Sequence, residues 1–433
     1  MENKKTIVIS LALFITTLVV VIFCIILFQP KVNFVNIENI NENLNIAKTP
    51  SEESNNNNNT AYGSGKKYKI SYKIQPKVSF GDNNSEIISF DTFVDARSVI
   101  SYGTTPNYGL VQDNPEYKTH HEIVLKNLDP NTLYYYSVNI YSDNGGFNEE
   151  YSSRFITKSS IRYKYNFGVM GDNRPVAGFV MPKEFHELVQ LMAREKVSFG
   201  VIVGDMVQLS DIETITDNDA QTAWKNFTDA ILPISASMPV YLAVGNHDEP
   251  ANPVALSAYR EVWTFPRNGG GKPGWYDETT YWFDYSHSLF IVLNSEEPGY
   301  AGGMSPEQFS WLKKILSLGD YEHKFIFTHR PITGSKRGVN DKSSELHKLF
   351  LSSGVSAVFT GHDHLYCKYQ KDGLYYVITG GGGSPLYKDA CLGKEISQYH
   401  FLNVEIEGDT ITISAVNNQN ATIDSFSFTD KKI

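Results

Sequence analysis

The stretch "VSAVFTGHDH", Val355–His364, decides how this chain is read. It opens as a short apolar run of the kind that forms a buried strand. It closes on a glycine and two histidines one residue apart. Four runs upstream close in the same way. They are "YNFGVMGD" on Asp172, "FGVIVGD" on Asp205, "VYLAVGNHD" on Asn246 and His247, and "HKFIFTHRP" on His329. In α/β folds, sites collect at the carboxyl ends of strands. One acid after one strand means little. Five strand ends bearing Asp, Asp, Asn-His, His and His-x-His imply one convergent cluster. Glycine directly precedes the ligand in four of the five, where it is expected to let the backbone turn sharply off the strand.

The ligand types narrow what is bound. Hard carboxylates mixed with imidazoles, without thiolates, suit zinc, manganese or iron rather than copper or an iron–sulfur cluster. They are too many for one tetrahedral ion. A carboxylate can bridge, so two ions about 3.5–4 Å apart are expected.

Helical patterns lie between the runs. Phe185, Leu188, Val189 and Met192 in "PKEFHELVQLMAREKV" recur at helical spacing. In "SPEQFSWLKKIL", Ser305 is a cap, Pro306 suits the first turn and Gln308 completes a capping box. Strands alternating with helices predict an α/β domain over 161–430. Residues 67–158 read as an all-β sandwich, with runs such as "EIISFDTF" and "YYYSVNIY" separated by "FGDNNS" and "SDNGG".

Thr6–Phe28 is an uncharged apolar run of 23 residues, long enough to cross a bilayer. Residues 1–29 are therefore expected to be a transmembrane anchor. Lys4 and Lys5 would hold its N-terminus in the cytoplasm and leave the rest extracytoplasmic. The alternative is secretion after cleavage of a signal peptide, although no small-x-small pattern follows the run. Residues 30–66, with "SEESNNNNNT", read as a disordered Asn-rich linker. A net charge of −10 argues against broad nucleic-acid binding. Of three cysteines, Cys24 lies in the apolar run, and Cys367 and Cys391 either pair or stay as buried thiols.

The motif series resembles the calcineurin-like metallophosphoesterases, with their D-x-H, G-D, G-N-H-[DE], strand-end His and G-H-x-H. The β-domain before it resembles the purple acid phosphatase arrangement. "LKNLDPNTLYYYSV" is similar to a fibronectin type III-like corner, in which the Tyr134 hydroxyl bonds back to the backbone. The resemblance implies an αββα metallophosphoesterase sandwich behind a fibronectin type III-like sandwich. It also implies hydrolysis of phosphomonoesters or phosphodiesters by a hydroxide bridging two metal ions (Fe, Mn or Zn). Asp205 would bridge the ions, Asp172 and His364 would bind the first, and Asn246, His329 and His362 the second. His247 would protonate the leaving group, oriented by Asp248.

Two departures stand out. Arg174 occupies the position of the third residue of D-x-H, and Gln208 the position of the purple acid phosphatase tyrosine, three residues past the bridging Asp. Without that phenolate no purple colour is expected, and the first ion should bind more weakly, Gln208 offering at most an amide oxygen. Arg174 either clamps a substrate phosphate, pairs with a carboxylate as scaffold, or marks a lost first site. Arg330 is a second clamp candidate or a structural arginine. "GGGG", Gly380–Gly383, lacks the ending of a phosphate loop and suggests a close approach of backbone to the site. "GWYDETTYWFDY", Trp275–Tyr285, reads as a packed hairpin. The rival reading of the whole chain is a surface binding or adhesion protein on a degenerate phosphoesterase scaffold.

Overall fold

The computed structural model describes residues 69–81, 84–143, 150–159, 164–270, 277–319 and 321–430. The expected anchor (1–29) and linker (30–66) lie outside the described residues. Among the described residues, no helix is long and apolar enough to cross a membrane.

The first five strands are β1 (Tyr72–Phe80), β2 (Glu86–Gly103), β3 (Leu110–Leu125), β4 (Leu133–Ser142) and β5 (Tyr151–Ile156). They form one antiparallel network rather than two separate sheets. Register shifts between Asp91 and Ser98 bend β2. Its first half pairs with β1 and its second with β4, while β3 follows both. Inward residues Ile88, Phe90, Ile100, Tyr136, Val138 and Ile140 close a core between the two halves. The Tyr134 hydroxyl accepts from the Asp129 amide at 3.1 Å, the corner bond its sequence context implied.

Two mixed sheets follow. β6 (Lys164–Met170), β7 (Gly200–Val203) and β8 (Val240–Ala243) run parallel. A seven-stranded sheet comes next: β9 (Tyr281–Tyr285), β10 (Ser288–Val292), β11 (His323–Thr328), β12 (Ala357–Thr360), β13 (Tyr366–Lys371), β14 (Leu374–Thr379) and β15 (Lys394–Ile396). β10, β11, β12 and β14 are parallel within it. The chain returns to the first sheet with β16 (His400–Glu407), β17 (Thr410–Asn417) and β18 (Thr422–Thr429).

Alternation along the strands sets the layers. Phe290, Phe325, Phe327 and Phe359 face the first sheet, where their rings meet Phe167 at 5.2–6.1 Å. The intervening Leu289, Ile291, Ile326 and Val358 pack outward, in one cluster with Trp311, Leu312, Leu346 and Phe350. These last four belong to helices Pro306–Leu316 and Ser343–Ser352. Lys183–Arg194 and Asp217–Ala230 bury Phe185, Leu188, Trp224 and Phe227 against the first sheet's core. Ser305 caps its helix by accepting from the Gln308 amide at 3.1 Å. Gln308 does not close the box, because its side chain bonds the Asn294 backbone at 3.0 and 2.8 Å. Of the aromatic segment, Tyr281–Tyr285 forms β9, which pairs with β10 as a hairpin and buries Tyr281, Phe283 and Tyr285 in the core; Trp275 and Tyr276 lie outside the described residues.

The β-unit and the α/β part share a seam. Ile74 of β1 belongs to the α/β core. Tyr136 donates its hydroxyl proton to Ala236 O at 2.8 Å. Lys77 is buried, donates to Val262 O, and lies 4.3 Å from the centre of the Trp263 ring. Burial pushes its amine down to about 8.

Candidate metal centre

The strand-end residues meet at the carboxyl edge of both sheets. Asp172, Asp205 and His362 adopt left-handed backbone, with φ of 58°, 57° and 70°. Such conformations in non-glycine residues cluster at functional sites. The sharp turn is therefore made mainly by the ligands themselves. The glycines before them supply space instead. A Cβ would fall 2.4 Å from His329 Nδ1 at Gly204, 2.3 Å from Asp205 Oδ1 at Gly245, and 2.4 Å from Asp172 Oδ2 at Gly361. Gly204 alone of the four is itself left-handed, at φ 94°. At Gly380, first of "GGGG", a Cβ would lie 2.8 Å from Asp172 Oδ2. That run is the backbone floor of the centre.

Acceptors face one another across a small volume. His329 Nε2 lies 3.3 Å from Asp205 Oδ1, 3.1 Å from Asn246 Oδ1 and 3.3 Å from His362 Nδ1. His362 Nδ1 lies 3.1 Å from the same Asn246 oxygen. The other His329 nitrogen is held by Val203 O at 2.9 Å, so its Nε2 is left with a lone pair. On the other side, His364 Nδ1 is fixed by Pro385 O at 2.8 Å, and its Nε2 faces Asp172 Oδ1 at 3.4 Å. That carboxylate oxygen is buried and has no hydrogen-bond partner. Asp172, Asp205 and His364 bring ligand atoms within 4.8 Å of one another. Lone pairs converging on an orphaned, buried carboxylate oxygen are what a cation satisfies, so these residues fit metal ions.

The electrostatics agree. Burial, then the charge of Asp205, pushes the Asp172 carboxyl well up. Burial pushes the same way at Asp205, but the neighbouring His329 and His247 hold its carboxyl below the usual range. Burial lowers His362 to about 3 and His364 to about 4, which keeps both imidazoles neutral and able to ligate.

Several sequence expectations change here. Asp248 does not touch the His247 ring. Its two oxygens accept four backbone amides, from Asp205, Met206, Val207 and Gly245, at 2.7–3.0 Å. It thereby shapes the turn that carries Asp205. The ring partner of His247 is Ser210, whose Oγ lies 2.5 Å from Nδ1. His247 Nε2 points into the centre, 3.8 Å from Asp205 Oδ2. Arg330 is engaged by both oxygens of Glu296, at 2.7 and 3.0 Å, which answers to its structural reading. Arg174 donates from Nη1 to Gln208 Oε1 at 2.6 Å, and its Nε lies 3.5 Å from Asp205 Oδ2. The amide oxygen suggested as a metal ligand is thus already taken by the arginine.

Two further residues frame the centre without any signal in the local sequence. The Tyr387 ring stacks on His364, with centroids 4.1 Å apart. The Arg337 guanidinium lies 4.3 Å from the centre of that ring and 3.3 Å from Asp363 Oδ1. Their loops are joined by a Ser335–Cys391 bridge, and Cys391 is disulfide-bonded to Cys367 at the start of β13.

A two-sheet α/β sandwich whose strand ends gather Asp, Asn and His is the frame of a metal-dependent hydrolase. Residues 165–366 match the family model described as calcineurin-like phosphoesterase. Purple acid phosphatase 18 of Arabidopsis thaliana is 23% identical over 335 residues, covering 70% of this chain and 69% of that protein. Tartrate-resistant acid phosphatase type 5 of Rattus norvegicus is 27% identical over 217 residues, covering 46% of this chain and 64% of the rat protein. A purple acid phosphatase, PPD1, from yellow lupin (Lupinus luteus) seeds shares the fold, with a TM-score of 0.65 at 16% identity over 82% of this chain and 74% of that one.

Proposed function

We propose that this chain is a metal-dependent phosphoesterase that cleaves phosphomonoesters or phosphodiesters at the Asp172–His364 centre. The observation that carries the reading is the convergence of Asp205, Asn246, His329 and His362 on one side and Asp172 and His364 on the other. Asp205 lies between the two sides and would contact both ions. When bound, two ions of Fe, Mn or Zn would activate water and neutralise phosphate oxygens.

The chain's own groups do the rest. His247 presents Nε2 to the centre and would give a proton to the departing oxygen, with Ser210 holding its other nitrogen. Asp248 fixes the backbone beneath Asp205. Arg174, at the rim of the first site, would take a phosphate oxygen through its planar fork. Glu296 leaves Arg330 to support the wall rather than to grip substrate.

The β-unit is taken as fibronectin type III-like, on the strength of the Tyr134 corner. An extracytoplasmic, membrane-anchored location rests on the 23-residue apolar run and is in keeping with the Cys367–Cys391 disulfide. The test is purified protein loaded with manganese, zinc or iron and offered aryl phosphates and phosphodiesters. Cleavage of none of them, with two ions bound, would remove the enzymatic reading. Absence of bound metal would favour the scaffold reading.

A further inference from the structure

The two halves of the centre differ in charge. The Asn246, His329 and His362 side offers three neutral ligands plus Asp205, and the nearby Arg330 is neutralised by both oxygens of Glu296. The Asp172 and His364 side has fewer ligands and a fixed guanidinium at its edge. Arg174 is tied to Asp205 and Gln208 by three contacts. Its amide donates to Asp205 O at 2.9 Å, its Nη1 to Gln208 Oε1 at 2.6 Å, and its Nε faces Asp205 Oδ2 at 3.5 Å. Its side chain is only 12% exposed, so solvent screens it weakly. A cation entering between Asp172 and His364 meets a second cation that already shares the Asp205 carboxylate. An anion bound against both would relieve that repulsion. Arg174 has the means to take one, since among the described residues only Nη1 of its two terminal nitrogens is spent, on a neutral amide and on Pro175 O at 3.2 Å.

We propose that Arg174 makes the two metal positions unequal and links the first of them to phosphate. The Asn246–His329–His362 side fills alone, and the Asp172–His364 side fills together with a phosphate group that Arg174 grips. By reciprocity, the factor by which phosphate tightens the first ion is the factor by which that ion tightens phosphate. This rests on the metal-centre reading above and goes beyond it, because it gives an order of loading and a carrier of the coupling.

Equilibrium dialysis of the full-length chain against Mn2+, with elemental analysis, reads the effect without any turnover. Without phosphate, about one tight ion per chain is expected. With inorganic phosphate present, a second ion should bind at least about tenfold more tightly than without it. Arg174→His supplies a ligand and removes the charge, and should bind two ions without phosphate. Arg174→Gln removes the charge alone, and should weaken the phosphate dependence. Two equally tight ions in the parent chain without phosphate would overturn the inference while leaving the metal centre standing. Unchanged phosphate linkage in both variants would overturn it too. No bound Mn2+ under any condition would overturn the metal centre itself, and the inference with it.

Discussion

At the scale of single residues, the centre separates groups that meet the reacting atoms from groups that hold them. Asp205 touches both sides, so Asp205→Ala should abolish turnover and lower the metal content of the purified chain. An Asp205→Ala chain as active as the parent would refute its shared role. His247→Gln should cut kcat by roughly 10²–10³-fold. Ser210→Ala should cut it less, and most for esters with basic leaving groups. A plot of log kcat against leaving-group pKa checks this: its slope should steepen in both variants, and parallel lines would argue against proton donation. Ser210 also shows where sequence reading stops. Asp172, Asp205, Asn246, His329, His362 and His364 were legible because each closes an apolar strand, and strand ends share an edge of the fold. Ser210, Tyr387 and Arg337 lie in loops, where no period ties a residue to its spatial neighbours. Asp248 was misread for a related reason: adjacency in sequence suggested a side-chain partner, whereas its carboxylate is spent on four amides across the turn.

At the scale of elements, the glycines are positions where backbone and ligand come into contact. Gly361→Ala would place a methyl 2.4 Å from Asp172 Oδ2 and 2.8 Å from Val203 O. It should lower metal affinity at least about tenfold and reduce stability by roughly 1–3 kcal/mol, the usual cost of overpacking. Metal titration and denaturant melts read the two effects separately. β16 supplies a pH test. His400, its first residue, is fully buried between Thr379 Oγ1 at 3.1 Å and Gln398 O at 2.8 Å, and burial pushes its imidazole down to about 4. The unfolded chain takes up that proton near pH 6.5, so the stabilisation is complete above 6.5 and is lost as pH falls toward 4. Between those limits the parent should lose on the order of 3 kcal/mol more than His400→Gln. Equal losses in melts at the two pH values would show that His400 is not the buried neutral group described.

At the scale of the whole molecule, the alternation of strands and helices from residue 161 announced the mixed α/β part, and its short apolar runs announced buried strands. The β-unit was legible as strands but not in its pairing. The shifts between Asp91 and Ser98 that bend β2 leave no mark in composition, and a bend of this kind decides whether strands form one network or two sheets. The seam between the parts was invisible in sequence, because Tyr136 and Ala236 stand 100 positions apart. Tyr136→Phe leaves the Ala236 carbonyl buried without its donor and should cost about 1–3 kcal/mol. A thermal melt should register a drop of several degrees, in a single transition shared by both parts. Ile74 carries this further, since it is a β-unit residue packed inside the α/β core. A designer who wished to transplant the catalytic half onto another carrier would therefore have to take β1 with it, or fill the gap left by Ile74 and cap Val262 O afresh, and in either case supply a new donor for Ala236 O, whose partner Tyr136 lies on β4.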